Sequence, residues 1–137
     1  MGVEKILYDP YQDPRQQLQR AIERARRENK NVLVEAGADW CVWCHRLEQF
    51  ITSHAELHQL RERQYIHIRL FYGEEDAPLN LPGTLPSIDG IPHYYIYNKA
   101  GKLLHSQDTE PFEAGDSYDY GQVWAFLAYW ASDSSIH

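Results

Sequence analysis

Cys41 and Cys44 are the only two cysteines of the chain, and two residues separate them. Thiol–disulfide exchange needs a thiolate nucleophile and a second thiol close enough to release the mixed disulfide that forms. A Cys-x-x-Cys that opens a helix supplies both. The first cysteine lies beside unpaired backbone N–H groups and the positive end of the helix dipole. Its pKa then falls below the free value of about 8.5. The second cysteine lies three residues on, on the same helix face and within disulfide reach. Cys41 is therefore the predicted attacking, exposed thiol, and Cys44 the resolving one. So closely spaced a pair closes no long loop, so it is not a stabilising disulfide framework. Two inert, reduced core cysteines are the plain alternative.

The same residues admit two other chemistries. Cys41-Val42-Trp43-Cys44-His45 has the form of a c-type haem attachment site, with His45 as axial ligand. The only methionine is Met1, which argues against a Met sixth ligand. Cys41, Cys44, His54 and His58 have ligand types and short spacings that suit tetrahedral zinc. The gap between the two pairs is shorter than in the usual finger, however, and a zinc unit would not account for the apolar segments on either side.

The elements around the cysteines fit the exchange reading. Asp13-Pro14-Arg15-Gln16 reads as a helix start, with Asp13 capping, Pro14 at the first position and Gln16 completing a capping-box pattern. Leu18, Ala21, Ile22 and Ala25 make one apolar stripe. Asn29-Lys30-Asn31 ends that helix. The run from Val32 to Ala36, interrupted only by Glu35, suggests a strand covered on both faces. Leu47, Phe50 and Ile51 recur at helical spacing, which puts the cysteines at a strand-to-helix turn. Ser53 with Glu56 is a second capping-box pattern, so a break near Thr52 and a short helix to about Arg63 follow. Tyr65 to Phe71 alternates, with Ile66, Ile68 and Leu70 on one face. Residues 73–91 form a long loop with room for a helical turn. Residues 92–97 and 102–106 form a hairpin about Asn98–Gly101. An acidic loop, 107–116, precedes a closing helix striped with Val123, Phe126, Leu127 and Trp130. The order predicts an α/β fold with a central mixed sheet and helices on both faces.

Composition narrows the function. A chain of 137 residues with 43% apolar and 24% charged residues suits one globular domain. The net charge of −7 leaves no cationic excess for nucleic acid. No apolar run approaches the ~18 residues of a membrane span. The first residues contain no signal-peptide core, and Ile6 breaks a myristoylation motif at Gly2. Either the protein is cytoplasmic or these residues are the mature portion of an exported one.

The segment from Val32 to Cys44, including Trp40 just before the first cysteine, resembles the strand and active-site turn of the thioredoxin superfamily. Gly90-Ile91-Pro92 resembles its cis-proline loop. The similarity is greatest to the branch of bacterial disulfide isomerases and thiol:disulfide interchange proteins, many of them exported. It implies a thioredoxin fold with an extra N-terminal helix, a single domain over 1–137 with residues 1–12 as an extended arm, and a periplasmic or otherwise exported location. It implies Cys41 and Cys44 as the catalytic pair and Glu35, six residues upstream, as a buried acid assisting proton transfer from the resolving thiol. Burial should raise the pKa of Glu35. Arg69 falls roughly where the family has a lysine near that acid, and an arginine there would keep Glu35 ionised. A cis bond at Pro92 would present Ile91 for pairing with an extended substrate. The redox group is the dithiol itself, so no cofactor or metal is required. The partners are protein thiols or disulfides and an external redox partner, met by a monomer. A non-catalytic interaction module of the same fold is the alternative.

Three departures from the family pattern stand out. Val42-Trp43 lies between the cysteines, with Trp43 either a substrate contact, like Trp40, or packed on the 73–91 loop. Gly37 stands where an aromatic residue is common, which would open space near the site. The acidic loop is an insertion, read as solvated or as selecting a partner.

Overall fold

Asp13 starts the first helix, α1 (Pro14–Glu28), by accepting a hydrogen bond from the Arg15 N–H at 3.0 Å. Asn29 ends it in the left-handed region, φ 56°, where Asn is tolerated better than most residues. The chain turns directly into β1 (Asn31–Gly37), which is buried from Val32 onward. The structure is a computed structural model that describes residues 6–72, 81–83, 88 and 90–131.

Strand β1 pairs in parallel with β2 (Tyr65–Phe71) and antiparallel with β3 (His93–Tyr97). Strand β3 pairs antiparallel with β4 (Leu103–Asp108), giving the order β2-β1-β3-β4. Helices α2 (Val42–Thr52) and α3 (Ala55–Gln64) form the crossover from β1 to β2, and α4 (Tyr120–Tyr129) comes last.

Strand alternation divides the core into two layers. Val32, Val34 and Ala36 join Ile66, Leu70, Tyr95 and Tyr97 beneath Leu18, Ala21 and Ala25 of α1. Leu33 joins Tyr65, Tyr94 and Ile96 against Leu47 and Ile51 of α2, Leu57 of α3 and Phe126 and Leu127 of α4. Each such large side chain taken from water contributes roughly 1.5–3 kcal/mol. Glu35 and Gly37 alternate onto this second face, the one that carries the cysteines.

Several local expectations change. The break between α2 and α3 is where the pattern puts it, but His54, without a side-chain capping bond, is the N-cap of α3. Ser53 instead closes α2, its hydroxyl donating to the Phe50 carbonyl at 3.0 Å. With only two residues between the helices, the serine serves the end it is nearer. The acidic segment 107–116 is not simply a solvated loop. Strand β4 runs to Asp108, a 3₁₀ turn covers Glu110–Phe112, and β5 (Glu113–Ala114) pairs with β6 (Ser117–Tyr118). Phe112 and Tyr118 enter the core. Residues 6–12 of the expected extended arm contain turns and bends and bury Tyr8. The helical turn expected within 73–91 lies largely outside the described residues. Among the described residues, no helix is long and apolar enough to cross a membrane.

Candidate active site

The turn from β1 into α2 places both thiols as the spacing predicts. Cys41 is the N-cap of α2, and its Sγ accepts the Cys44 backbone N–H at 3.2 Å. The Cys41 thiol also faces the Ile91 carbonyl at 3.6 Å. Both cysteines are free thiols. Cys41 is not the exposed thiol that was expected. It retains 6% of its surface and Cys44 none, because Trp43, Phe71 and Ile91 pack around the pair. Cys41 is nonetheless the outer of the two.

Their proton affinities diverge. The hydrogen bond with the Cys44 thiol, together with the backbone N–H groups of Cys44 and Trp43, lowers the pKa of Cys41 to about 7 despite burial. The same thiol–thiol hydrogen bond, burial and the negative charges of Cys41 and Glu35 push Cys44 far up. One sulfur is prepared as a thiolate, and the other holds its proton.

Glu35 lies fully buried behind the pair. Burial alone raises its pKa, as expected, but its partners outweigh burial and hold it well below the usual carboxylate range. The His67 ring donates from Nε2 to Glu35 Oε1 at 3.0 Å. The Arg69 guanidinium approaches Oε2 at 3.5 Å, and the Tyr8 hydroxyl donates to the same oxygen. Arg69 thus supports Glu35 as the resemblance implied, although its own hydrogen bond is to Glu48. Glu48 also binds Arg61 at 2.9 Å, and Arg61 binds Glu62 at 2.9 Å. Burial lowers the pKa of His67 below its ordinary value, so near pH 7 the ring is a neutral donor.

Tyr8, His67, Asp39 and Glu48 are site residues that sequence reasoning missed. Asp39 Oδ1 and Oδ2 accept the backbone N–H groups of Tyr8 and Leu7 at 2.7 and 3.1 Å. The Asp39 carbonyl in turn accepts the His45 ring N–H at 2.6 Å. A signal existed for His67. It alternates with Ile66 and Ile68 in a strand whose second face also lies under helices, where an ionisable residue needs a partner. Nothing local marks Tyr8. Gly37 does not leave open space: a Cβ there would lie 2.6 Å from Tyr8 Cζ and 2.8 Å from Cys44 Sγ. The tyrosine occupies what the glycine vacates.

The surroundings differ on two sides. Trp40 and Val42 are exposed, at 67% and 60%. Trp43 is half-buried and packs edge-on against Tyr118, with the Arg46 guanidinium 4.7 Å above its ring; most of the 73–91 loop against which it was alternatively expected to pack lies outside the described residues. The Tyr118 hydroxyl donates to the Trp43 carbonyl at 3.2 Å. The Ile91–Pro92 peptide is cis, and the buried Thr109 hydroxyl donates to the Pro92 carbonyl at 2.6 Å. A cavity of about 390 Å³ adjoins it, lined by Ile91, Pro92, Asp108, Thr109, Glu110 and Glu113. His54 and His58 lie at the start of α3, beyond the far end of α2 from the cysteines. Among the described residues no group of three or more His, Cys, Asp or Glu is placed to hold a metal ion.

Comparison with known proteins accords with this geometry. No curated protein matches the chain. Among solved structures, it is similar in fold to the disulphide isomerase from Xylella fastidiosa Temecula1, with a TM-score of 0.71 and 24% identity over 93% of this chain and 98% of that one. A family described as thioredoxin-like matches residues 13–99, from the cap of α1 to the hairpin after β3. The chain, with its Cys-x-x-Cys at a strand-to-helix turn, belongs to the thioredoxin-like family.

Proposed function

We propose that the protein is a thiol–disulfide oxidoreductase that acts on protein substrates through Cys41 and Cys44. The observation that carries this reading is the asymmetry of the pair. Cys41 caps α2 with a thiolate favoured at neutral pH, while Cys44 sits behind it with its proton held. A thiolate is the attacking species in exchange, and a protonated neighbour waits until a mixed disulfide forms. Cys41 attacks a substrate disulfide, and Cys44 then attacks Cys41 Sγ and releases the substrate thiol. Glu35 manages the Cys44 proton. Ile91, beside cis-Pro92 and 3.6 Å from Cys41 Sγ, offers its backbone to an extended substrate. Trp40, exposed next to Cys41, and Trp43 contribute apolar contact. The dithiol is the redox group, and no cofactor takes part.

With only two cysteines in these 137 residues, a redox partner outside them supplies or accepts the electrons. Similarity to a bacterial disulphide isomerase supports isomerase or reductase chemistry, and the resemblance to exported interchange proteins supports a periplasmic site of action. The test is insulin reduction with dithiothreitol as donor. The wild-type protein should accelerate precipitation of the insulin B chain, Cys41→Ser should abolish the effect, and Cys44→Ser should accumulate mixed disulfides. Full activity in Cys41→Ser would refute the reading. Equilibration with glutathione separates the directions: a potential near about −270 mV marks a reductant, and one near about −120 mV an oxidant.

A further inference from the structure

Tyr8 is a buried phenol that the exchange cycle above leaves without a task. It is 1% exposed, although it lies in the arm before α1. Three features of the redox centre converge on it. Its backbone N–H and that of Leu7 are held by the Asp39 carboxylate, in the turn leading to Cys41. Its hydroxyl donates to Glu35 Oε2. Its ring fills the notch at Gly37, where a Cβ would stand 2.6 Å from Tyr8 Cζ and 2.8 Å from Cys44 Sγ. One side chain therefore adjoins both the buried acid and the resolving sulfur.

We propose that Tyr8 is a positioning residue for proton transfer at Cys44: its hydroxyl fixes the Glu35 carboxylate, and its ring keeps water from the inner side of the Cys44 thiol, so that Glu35 takes the Cys44 proton. The inference rests on the dithiol reading above. In the step concerned, Cys44 gives its proton to Glu35 and its sulfur attacks Cys41 Sγ. The Cys41–substrate S–S bond breaks, the Cys41–Cys44 bond forms, and the substrate sulfur departs as a thiolate that is then protonated. The two enzyme thiols are oxidised to a disulfide, and the substrate disulfide is reduced to two thiols.

Tyr8 itself stays protonated, because burial and the Glu35 charge both raise its pKa. The other groups that act on Glu35 are accounted for among the described residues. They are His67 and Arg69 on β2, Cys44 on α2, Arg61 on α3 and Tyr94 on β3. Glu48 acts on the acid through Arg69, and Glu62 through His67. Of these neighbours, Cys44 is the reacting thiol, and His67 and Arg69 are the other groups bonded or ion-paired to the carboxylate.

The experiment loads Cys41 with thionitrobenzoate and follows release of the coloured thiol as Cys44 attacks, in samples quenched to neutral pH, from about pH 2, where Glu35 titrates, to pH 9. Tyr8→Phe keeps the ring and removes the hydroxyl. It should slow release at pH 7 about tenfold, because the misplaced carboxylate loses more than its higher basicity gains, and move the acid limb of the profile to higher pH. Carboxyl ¹³C shifts should report the same upward move of the Glu35 titration without any turnover. Tyr8→Ala should lose the acid limb and follow hydroxide alone. A purely structural role would lower thermal stability and leave the limb in place. A Tyr8→Phe profile that overlays a normally active wild type would overturn this inference alone. A wild-type protein that releases no thiol would overturn the dithiol reading and this inference with it.

Discussion

Replacing Gly37 by alanine tests the packing behind the dithiol directly. Gly37 lies in β1 without a positive φ, so its backbone accepts alanine. The cost is contact alone. The added Cβ would stand 2.6 Å from Tyr8 Cζ and 2.8 Å from Cys44 Sγ, where carbon contacts settle near 3.5–4.0 Å. Something must move by roughly 1 Å. Neither neighbour yields cheaply, because Tyr8 is tied at its backbone to Asp39 and at its hydroxyl to Glu35, and Cys44 lies within α2. Overpacking of this kind costs about 1–3 kcal/mol, and displacing the ring also breaks a hydrogen bond to a carboxylate worth about 1.5–3 kcal/mol. Gly37→Ala should therefore destabilise the reduced protein by about 3–4 kcal/mol, a fall in Tm of roughly 10 °C for a chain of this length. Urea denaturation followed by tryptophan fluorescence measures it. Tyr8→Ala alone should cost about 3–5 kcal/mol. In that background Gly37→Ala should cost under about 1 kcal/mol, so the cycle should show a coupling of at least about 2 kcal/mol. A penalty undiminished by Tyr8→Ala would refute the argument, as would a Gly37→Ala protein within about 0.5 kcal/mol of wild type.

Two further outcomes follow from the charged layer and the arm. His67 and Glu35 both have folded pKa values below their unfolded ones, so the unfolded chain binds more protons and stability is lost as the pH is lowered. The His67 share is complete above about pH 6.5 and is lost below it, while the Glu35 share is lost only below about pH 4.3. Melting temperature should drop from pH 7 to pH 5, and His67→Gln should flatten that limb while keeping the more acid one. A wild-type melting temperature constant between pH 7 and 5 would contradict the assignment. Asp39→Ala removes the acceptor of the Leu7 and Tyr8 N–H groups. Amide exchange at both should quicken about ten- to a hundredfold, for a loss of about 1.5–3 kcal/mol; unchanged protection would show that the arm is held by other contacts.

The parts of this molecule that were legible in its sequence are those set by near neighbours in the chain. The Asp13 cap, the alternation of β2 and the opening of α2 at Cys41 each depend on residues within one or two turns. The acid at position 35 was legible through the resemblance, but its state was not. Burial and partners oppose one another there, and the partners arrive from 27 and 32 residues away, as Tyr8 and His67. Ser53 shows the complementary limit. Its pattern fits a capping box, but two helix ends compete for one serine, and only packing decides between them. The acidic segment misled because Asp108, Glu110, Glu113 and Asp116 suggest solvent, whereas Phe112 within it and Tyr118 just after it anchor it to the core.

The burial of Tyr8 also distinguishes the stretch of chain that the family match covers from the stretch that behaves as one physical body. The family match begins at residue 13 and ends at 99. A fragment trimmed to those limits would keep both cysteines, Glu35, His67 and Arg69. It would lack the phenol that fills the Gly37 notch, the β4 edge, Thr109 beneath Pro92 and the α4 side of the core. Water would then reach the carboxylate and the inner sulfur together. The smallest piece that preserves this packing therefore starts no later than Leu7 and extends through Ala131, so the family match locates the cysteines without marking where to cut.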